Sequence, residues 1–151
     1  MFDKILVAVG GDDASFEPVR VAGRLACALS VGLTVLSVKR PTAEALGEPY
    51  YTDLQTERLG ETQAMLAQAL RVAQAEGARV EIDTLEGTPA DQIVGHAAFG
   101  GFGLIVMGTR RRGRLQSAIL GSVSAKVAAH SKVPVMIVPE PSVSDVFDET
   151  Q

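Results

Sequence analysis

LIVMGTRRRGRLQSAILGSVSAKVAAHSKVPVMIV, residues 104–138, decides the fold. The stretch opens with the apolar run Leu104-Ile105-Val106-Met107, stops at Gly108, and continues into a loop carrying Arg110, Arg111, Arg112 and Arg114. Gly121-Ser122-Val123-Ser124 then begins a helical pattern that lasts to His130, and Val133 to Val138 is a second apolar run. The order is strand, loop, helix, strand, which puts the loop and the helix start at the carboxyl end of the first strand. Ligands of open parallel sheets sit at that end. A helix start also presents unpaired N–H groups and the positive end of the helix dipole, which suits an anion. With Gly121, Ser122 and Ser124 at the start and the arginines upstream, the stretch reads as an anion site. The plainer alternative is a solvated basic loop followed by an ordinary Gly-Ser helix cap.

Working outward, the rest of the chain repeats the same unit. Lys4 to Val9 (KILVAV) is a nearly continuous apolar run, the pattern of a strand covered on both faces. A Gly-Gly-Asp-Asp turn follows at 10–13, then Phe16, Val19, Ala22, Leu25, Ala26 and Leu29 at helical spacing. Pro18 fits only a first turn, so the helix is predicted to start near Ala14 or Ser15, and Gly32 to end the unit. Leu33 to Val38 is a second strand, and residues 41–51, with Pro41, Gly47 and Pro49, read as a mobile connection. A long helix is expected from Thr52 to Glu76, with Gly77 as its C-cap. Arg79 to Leu85 alternates polar and apolar residues, the pattern of an edge strand. Thr88 (N-cap), Pro89 at the first helical position and Asp91 reaching back predict the next helix, ending at Gly100-Gly101.

Five strands alternating with four helices predict a single-domain α/β fold, a doubly wound five-stranded parallel sheet with helices on both faces. The strand order 3-2-1-4-5 follows if the chain reverses after the third strand. The turn at Gly10 and the loop after Gly108 then face each other across the crevice between strands 1 and 4. The domain is expected to span residues 1–140, with 141–151 an acidic, frayed tail. In this order strand 5 is an edge, yet Val133, Val135, Met136, Ile137 and Val138 are apolar, and such an edge invites pairing unless covered. A homodimer through strand 5 covers it; the tail folding back is the alternative.

Composition narrows the function. The chain has 151 residues, 46% of them apolar, and a formal net charge of −4, which argues against broad nucleic-acid binding. No apolar run reaches the roughly 20 residues that span a bilayer. The first residues run directly into a strand pattern, which predicts no signal peptide. The single cysteine, Cys27, fits a reducing cytoplasm, and its apolar helical setting predicts a packed core thiol. His96 and His130 fall on different predicted helices with no ligand-spaced partner, so no metal site is expected. No nucleophile elbow, P-loop or dinucleotide fingerprint is present.

The sequence resembles the universal stress protein family. The resemblance runs from Lys4-Ile5-Leu6-Val7 through Glu86-Gly87-Thr88-Pro89-Ala90 to Gly121-Ser122-Val123-Ser124 and Val133-Pro134-Val135. Its most specific part is Met107-Gly108-Thr109-Arg110, with nine residues between Arg111 and Gly121-Ser122, against the family pattern G-x2-G-x9-G-S/T. The resemblance implies a small cytoplasmic dimer, made during stress, that binds an adenine nucleotide (ATP or AMP) and acts by regulation, with at most slow ATP hydrolysis. It implies a phosphate side made by Gly108, Arg110, Arg111, Gly121, Ser122, Val123 and Ser124. Ala8 and Gly10 would lie toward the ribose, and Val38 and Met107 toward adenine. No histidine is predicted near Ser122 and Ser124, so they read as phosphate donors and not as nucleophiles. Whether a divalent ion accompanies the phosphates is left open by the residues.

Three positions depart from the family pattern. Arg111 replaces the second glycine, Gly10 replaces the aspartate that meets the ribose, and Ala8 replaces a proline. Losing the aspartate removes a charged hydrogen bond worth roughly 1.5–3 kcal/mol, about ten- to a hundredfold in affinity. Asp12 is two residues away and would need the turn to bend to take its place. Arginine at 111 either fills space that phosphate needs or adds a cation to it. The second functional alternative is therefore a family member that binds no nucleotide and serves as a dimeric protein-interaction module.

Overall fold

The computed structural model describes residues 3–10, 16–41, 48–109 and 121–139, with the backbone alone over 48–59. The elements alternate: β1 (Lys4–Val9), α1 (Glu17–Leu29), β2 (Gly32–Lys39), α2 (Glu48–Ala75), β3 (Arg79–Glu86), α3 (Pro89–Phe99), β4 (Leu104–Gly108), α4 (Ser122–His130) and β5 (Val135–Val138). The strands form one parallel sheet in the order β3-β2-β1-β4-β5, as the sequence predicts.

The sheet is buried on both faces because its central strands are apolar at successive positions. Ile5, Val7 and Val9 of β1 join Leu104 and Val106 of β4 in one cluster under α1 and α2, with Val19, Ala22, Ala26, Leu66, Ala69 and Ala73. Leu6 and the next residues of the neighbouring strands, Leu36, Ile105 and Met107, turn the other way, against Ala90, Ile93 and Ala97 of α3 and Val123 and Val127 of α4. The period-two alternation of strand side chains thus feeds two cores from the same runs. Each buried aliphatic side chain contributes about 1.5–3 kcal/mol.

Several boundaries differ from expectation. α1 begins at Glu17, not near 14 or 15, with Phe16 at the N-cap and Pro18 in the first turn. Its end is made by Ser30 in the left-handed conformation (φ 57°), whose N–H donates to the Cys27 carbonyl while Val31 N–H donates to Ala26. The chain has only two residues in which to turn into β2, so Gly32 opens the strand instead of closing the helix. α2 begins at Glu48, four residues early, because Pro49 falls in its first turn, where no amide is needed. Residues 48–51 are therefore helix and not connection; 42–47 lie outside the described residues. Gly77 does cap α2, at φ 88°, with Gly77 N–H donating to Gln74 and Ala78 N–H to Ala73.

Thr88 is the N-cap residue of α3 but makes no side-chain capping bond. Cys27 is exposed and not a core thiol, since it lies one position past the buried stripe of α1 and faces the α2 cap. β3 is an edge strand, and its alternation is broken: Ile82 is 38% exposed, whereas Asp83 is half-buried with His96 Nε2 2.8 Å from its Oδ2. α3 covers the Asp83 face and draws that side chain inward. β5 is shorter than the run Val133–Val138, since Pro134 has no N–H for the ladder and contributes only its carbonyl, to Ile105 N–H at 2.9 Å.

Candidate functional site

β1 and β4 are neighbours, with Ile5 opposite Leu104 and Val7 opposite Val106. α1, which follows β1, packs on one face of the sheet, and α4, which follows β4, packs on the other. The carboxyl edge between two such strands is the usual ligand position of this kind of sheet. Gly10 follows β1 and Gly108 ends β4 on this edge.

The apolar part of the candidate site lies on the α3/α4 face. Met107 is buried there, and Ala8 and Val38 pack half-buried against the same cluster. Continuing the β1–β4 register puts Met107 level with Ala8, so the three residues form one patch across the ends of β2, β1 and β4. A flat, uncharged ring could lie on such a patch; nothing in it could bind through charge.

The polar side is the start of α4. Gly121 takes the N-cap position (φ −62°, ψ 162°) and no side chain caps the turn. The first intrahelical bond is Ala125 N–H to Gly121 carbonyl at 2.9 Å, which leaves the N–H groups of Ser122, Val123 and Ser124 without an acceptor inside the helix. Ser122 is exposed and Val123 is buried in the α3/α4 cluster. Ser124 is 1% exposed, and its hydroxyl donates to the Gly108 carbonyl at 2.7 Å. A hydroxyl has one proton, so this serine ties helix to strand and is not a free donor toward the crevice. Gly121 N–H donates to the Thr109 carbonyl at 3.2 Å, a second tie beside the first.

Gly108 is constrained from the other face. A Cβ at this position would stand 3.1 Å from Cγ of Pro18, so the first turn of α1 packs where a side chain would be. Arg110, Arg111 and Asp12 lie outside the described residues.

Thr109 is a residue that sequence reasoning passed over. It is 8% exposed, and its Oγ1 is buried with no hydrogen-bond partner among the described residues. Its place beside Gly108 in the motif was the only available signal. Among the described residues no group of three or more His, Cys, Asp or Glu could hold a metal ion. No described helix is long and apolar enough to cross a membrane.

At the expected pairing edge, Met136 is 36% exposed and Val135 and Ile137 are half-buried against the α3/α4 cluster. Val133 lies before the strand, in a turn closed by Ser131 Oγ donating to its carbonyl at 2.7 Å. Val138 is 7% exposed and belongs to the core under α1.

Comparison with known proteins agrees with this architecture. The chain matches the universal stress protein family over residues 1–139 and belongs to that family. A universal stress protein of Thermus aquaticus, described as lying in the 3′ region of a QAH/OAS sulfhydrylase, is 35% identical, covering 91% of this chain and 99% of its own. Among solved structures, a universal stress protein in complex with cAMP superposes with a TM-score of 0.71 at 28% identity, over 91% of this chain and 97% of that one. The Archaeoglobus fulgidus universal stress protein in complex with dAMP gives 0.69 at 25% identity, over 90% and 97%.

Proposed function

We propose that this protein binds an adenine nucleotide, ATP or AMP, in the crevice between β1 and β4 and acts as a regulatory dimer in a stress response, without efficient catalysis. The observation that carries the reading is the uncapped first turn of α4: amide donors and a dipole end stand beside a patch made by Ala8, Val38 and Met107. The relatives solved with cAMP and dAMP support adenine as the base. Phosphate is assigned to Gly108, Gly121, Ser122 and Val123 with help from Arg110 and Arg111, and the ribose to the side of Gly10. The dimer is assigned to β5, where Met136 is the exposed apolar side chain. The domain is taken as residues 1–140, the tail as 141–151, and the location as the cytoplasm.

Calorimetric titration with ATP and AMP tests this. Binding is expected, weakened about ten- to a hundredfold by the missing ribose carboxylate. Gly10→Asp should then strengthen it by a similar factor. Arg111→Gly separates the two readings of the arginine: tighter binding marks it as an obstruction, weaker binding as a phosphate ligand. No heat and no thermal shift at millimolar nucleotide, in the parent and in the double reversion, would refute the reading. The alternative, a dimeric interaction module that binds no nucleotide, is favoured by Gly10, which offers the ribose no carboxylate, and by the obstructing reading of Arg111.

A further inference from the structure

The connection between β4 and α4 is closed at its base by two hydrogen bonds. Gly121 N–H reaches the Thr109 carbonyl at 3.2 Å, and Ser124 Oγ reaches the Gly108 carbonyl at 2.7 Å, across sixteen positions of sequence. The second is the shorter, and Ser124 is 1% exposed, so water does not compete for it. Gly108 is itself held by the β5 pairing opposite Val138 and by Pro18 on its other side. The serine therefore joins the first turn of α4 to a fixed point of the sheet. Apolar packing of Val123 and Val127 turns one face of the helix onto the sheet, and the serine bond adds a directional tie to the end of β4.

We infer that Ser124 is a positioning residue for the anion end of the crevice: it clamps the start of α4 to the end of β4, so that main-chain amides and not its own hydroxyl meet the phosphate. This rests on the nucleotide reading above for the ligand and deepens it. A preformed donor cluster needs no rearrangement when the anion arrives, which is where such a clamp acts on affinity. Without the hydroxyl, the Gly108 carbonyl loses a partner, and among the described residues the start of α4 keeps the longer Gly121 bond to the end of β4.

The test pairs amide hydrogen exchange of the nucleotide-free protein with ATP affinity, in the parent chain, Ser124→Ala and Ser124→Thr. In Ser124→Ala, the Gly121 amide should exchange about tenfold faster while the amides of Leu6 and Val35 in the core keep their protection, and ATP should bind about tenfold more weakly. Ser124→Thr, which keeps the hydroxyl, should restore both. Unchanged exchange at Gly121 overturns the clamp; weaker binding without faster exchange overturns it too, because the hydroxyl would then touch phosphate itself. Faster exchange with unchanged affinity reduces the bond to packing and also overturns the inference. If the extra methyl of threonine unfolds the chain, seen as lost core protection, the paired readings of Ser124→Ala decide alone. A parent chain that binds no ATP refutes the nucleotide reading and with it the positioning role, and the exchange measurement still reports whether the bond holds the helix.

Discussion

Gly108 and Pro18 touch across the edge of the sheet: a Cβ on the glycine would lie 3.1 Å from the proline Cγ. The absence of a side chain at 108 thus serves the packing of α1 whether or not an anion approaches from the α4 side. Gly108→Ala should cost about 1–3 kcal/mol, since the proline ring is fixed in a helix and cannot swing aside. Urea unfolding of nucleotide-free protein measures it. A neutral result would mean that α1 shifts freely and that this contact does not set the width of the crevice.

Thr109 offers the opposite sign. Its Oγ1 is buried without a partner among the described residues, and such a group costs about 1–3 kcal/mol. Valine has nearly the same shape and no hydroxyl, so Thr109→Val should stabilise the free protein by about 1 kcal/mol, read as a shift in the urea midpoint at constant slope. Destabilisation would show that the hydroxyl is already satisfied in solution.

Gly77 caps α2 at φ 88°, and a Cβ there would stand 3.0 Å from Cys27 Sγ. The thiol can rotate away, whereas the backbone angle cannot be relieved so easily. Gly77→Ala is expected to lose about 1–2 kcal/mol, and the loss should persist in a Cys27→Ala background. Rescue by Cys27→Ala would locate the strain in the side-chain contact instead.

Met136 tests the assembly. Placing a charge on the outer edge strand should prevent strand pairing between copies. Light scattering of Met136→Lys should give half the molar mass of the parent protein, with the far-ultraviolet dichroism unchanged. A parent protein that already runs at the mass of one chain would remove strand 5 pairing from the account.

The sheet was readable because each central strand is apolar on both faces, and Lys4–Val9 and Leu104–Gly108 fall where their runs predict. The strand order followed from the edge-like alternation of Arg79–Leu85 and the single reversal. The start of α2 was missed because Pro49 looks the same in a list of breakers and in a first helical turn. Cys27 was misjudged by one helical position, too fine a difference for an apolar stripe to resolve. For the candidate site, residue types and spacing pointed to the carboxyl edge of the sheet and to the start of α4. They could not show that the Ser124 proton is held by a carbonyl sixteen positions upstream, or that Thr109 keeps a buried hydroxyl with no partner among the described residues. Both depend on where backbone atoms end up, which side-chain pattern does not encode.

The two flanks of the sheet are chemically unlike. On β3 the exposed Ile82 sits between Glu81 and Asp83, with Arg79 and Glu86 at the ends, while β5 offers Val135, Met136 and Ile137 in succession. If copies pair edge to edge through β5 as proposed, the charged side chains along β3 disfavour strand pairing at the opposite border. On the proposed dimer, the same asymmetry favours a closed pair of chains over an open stack.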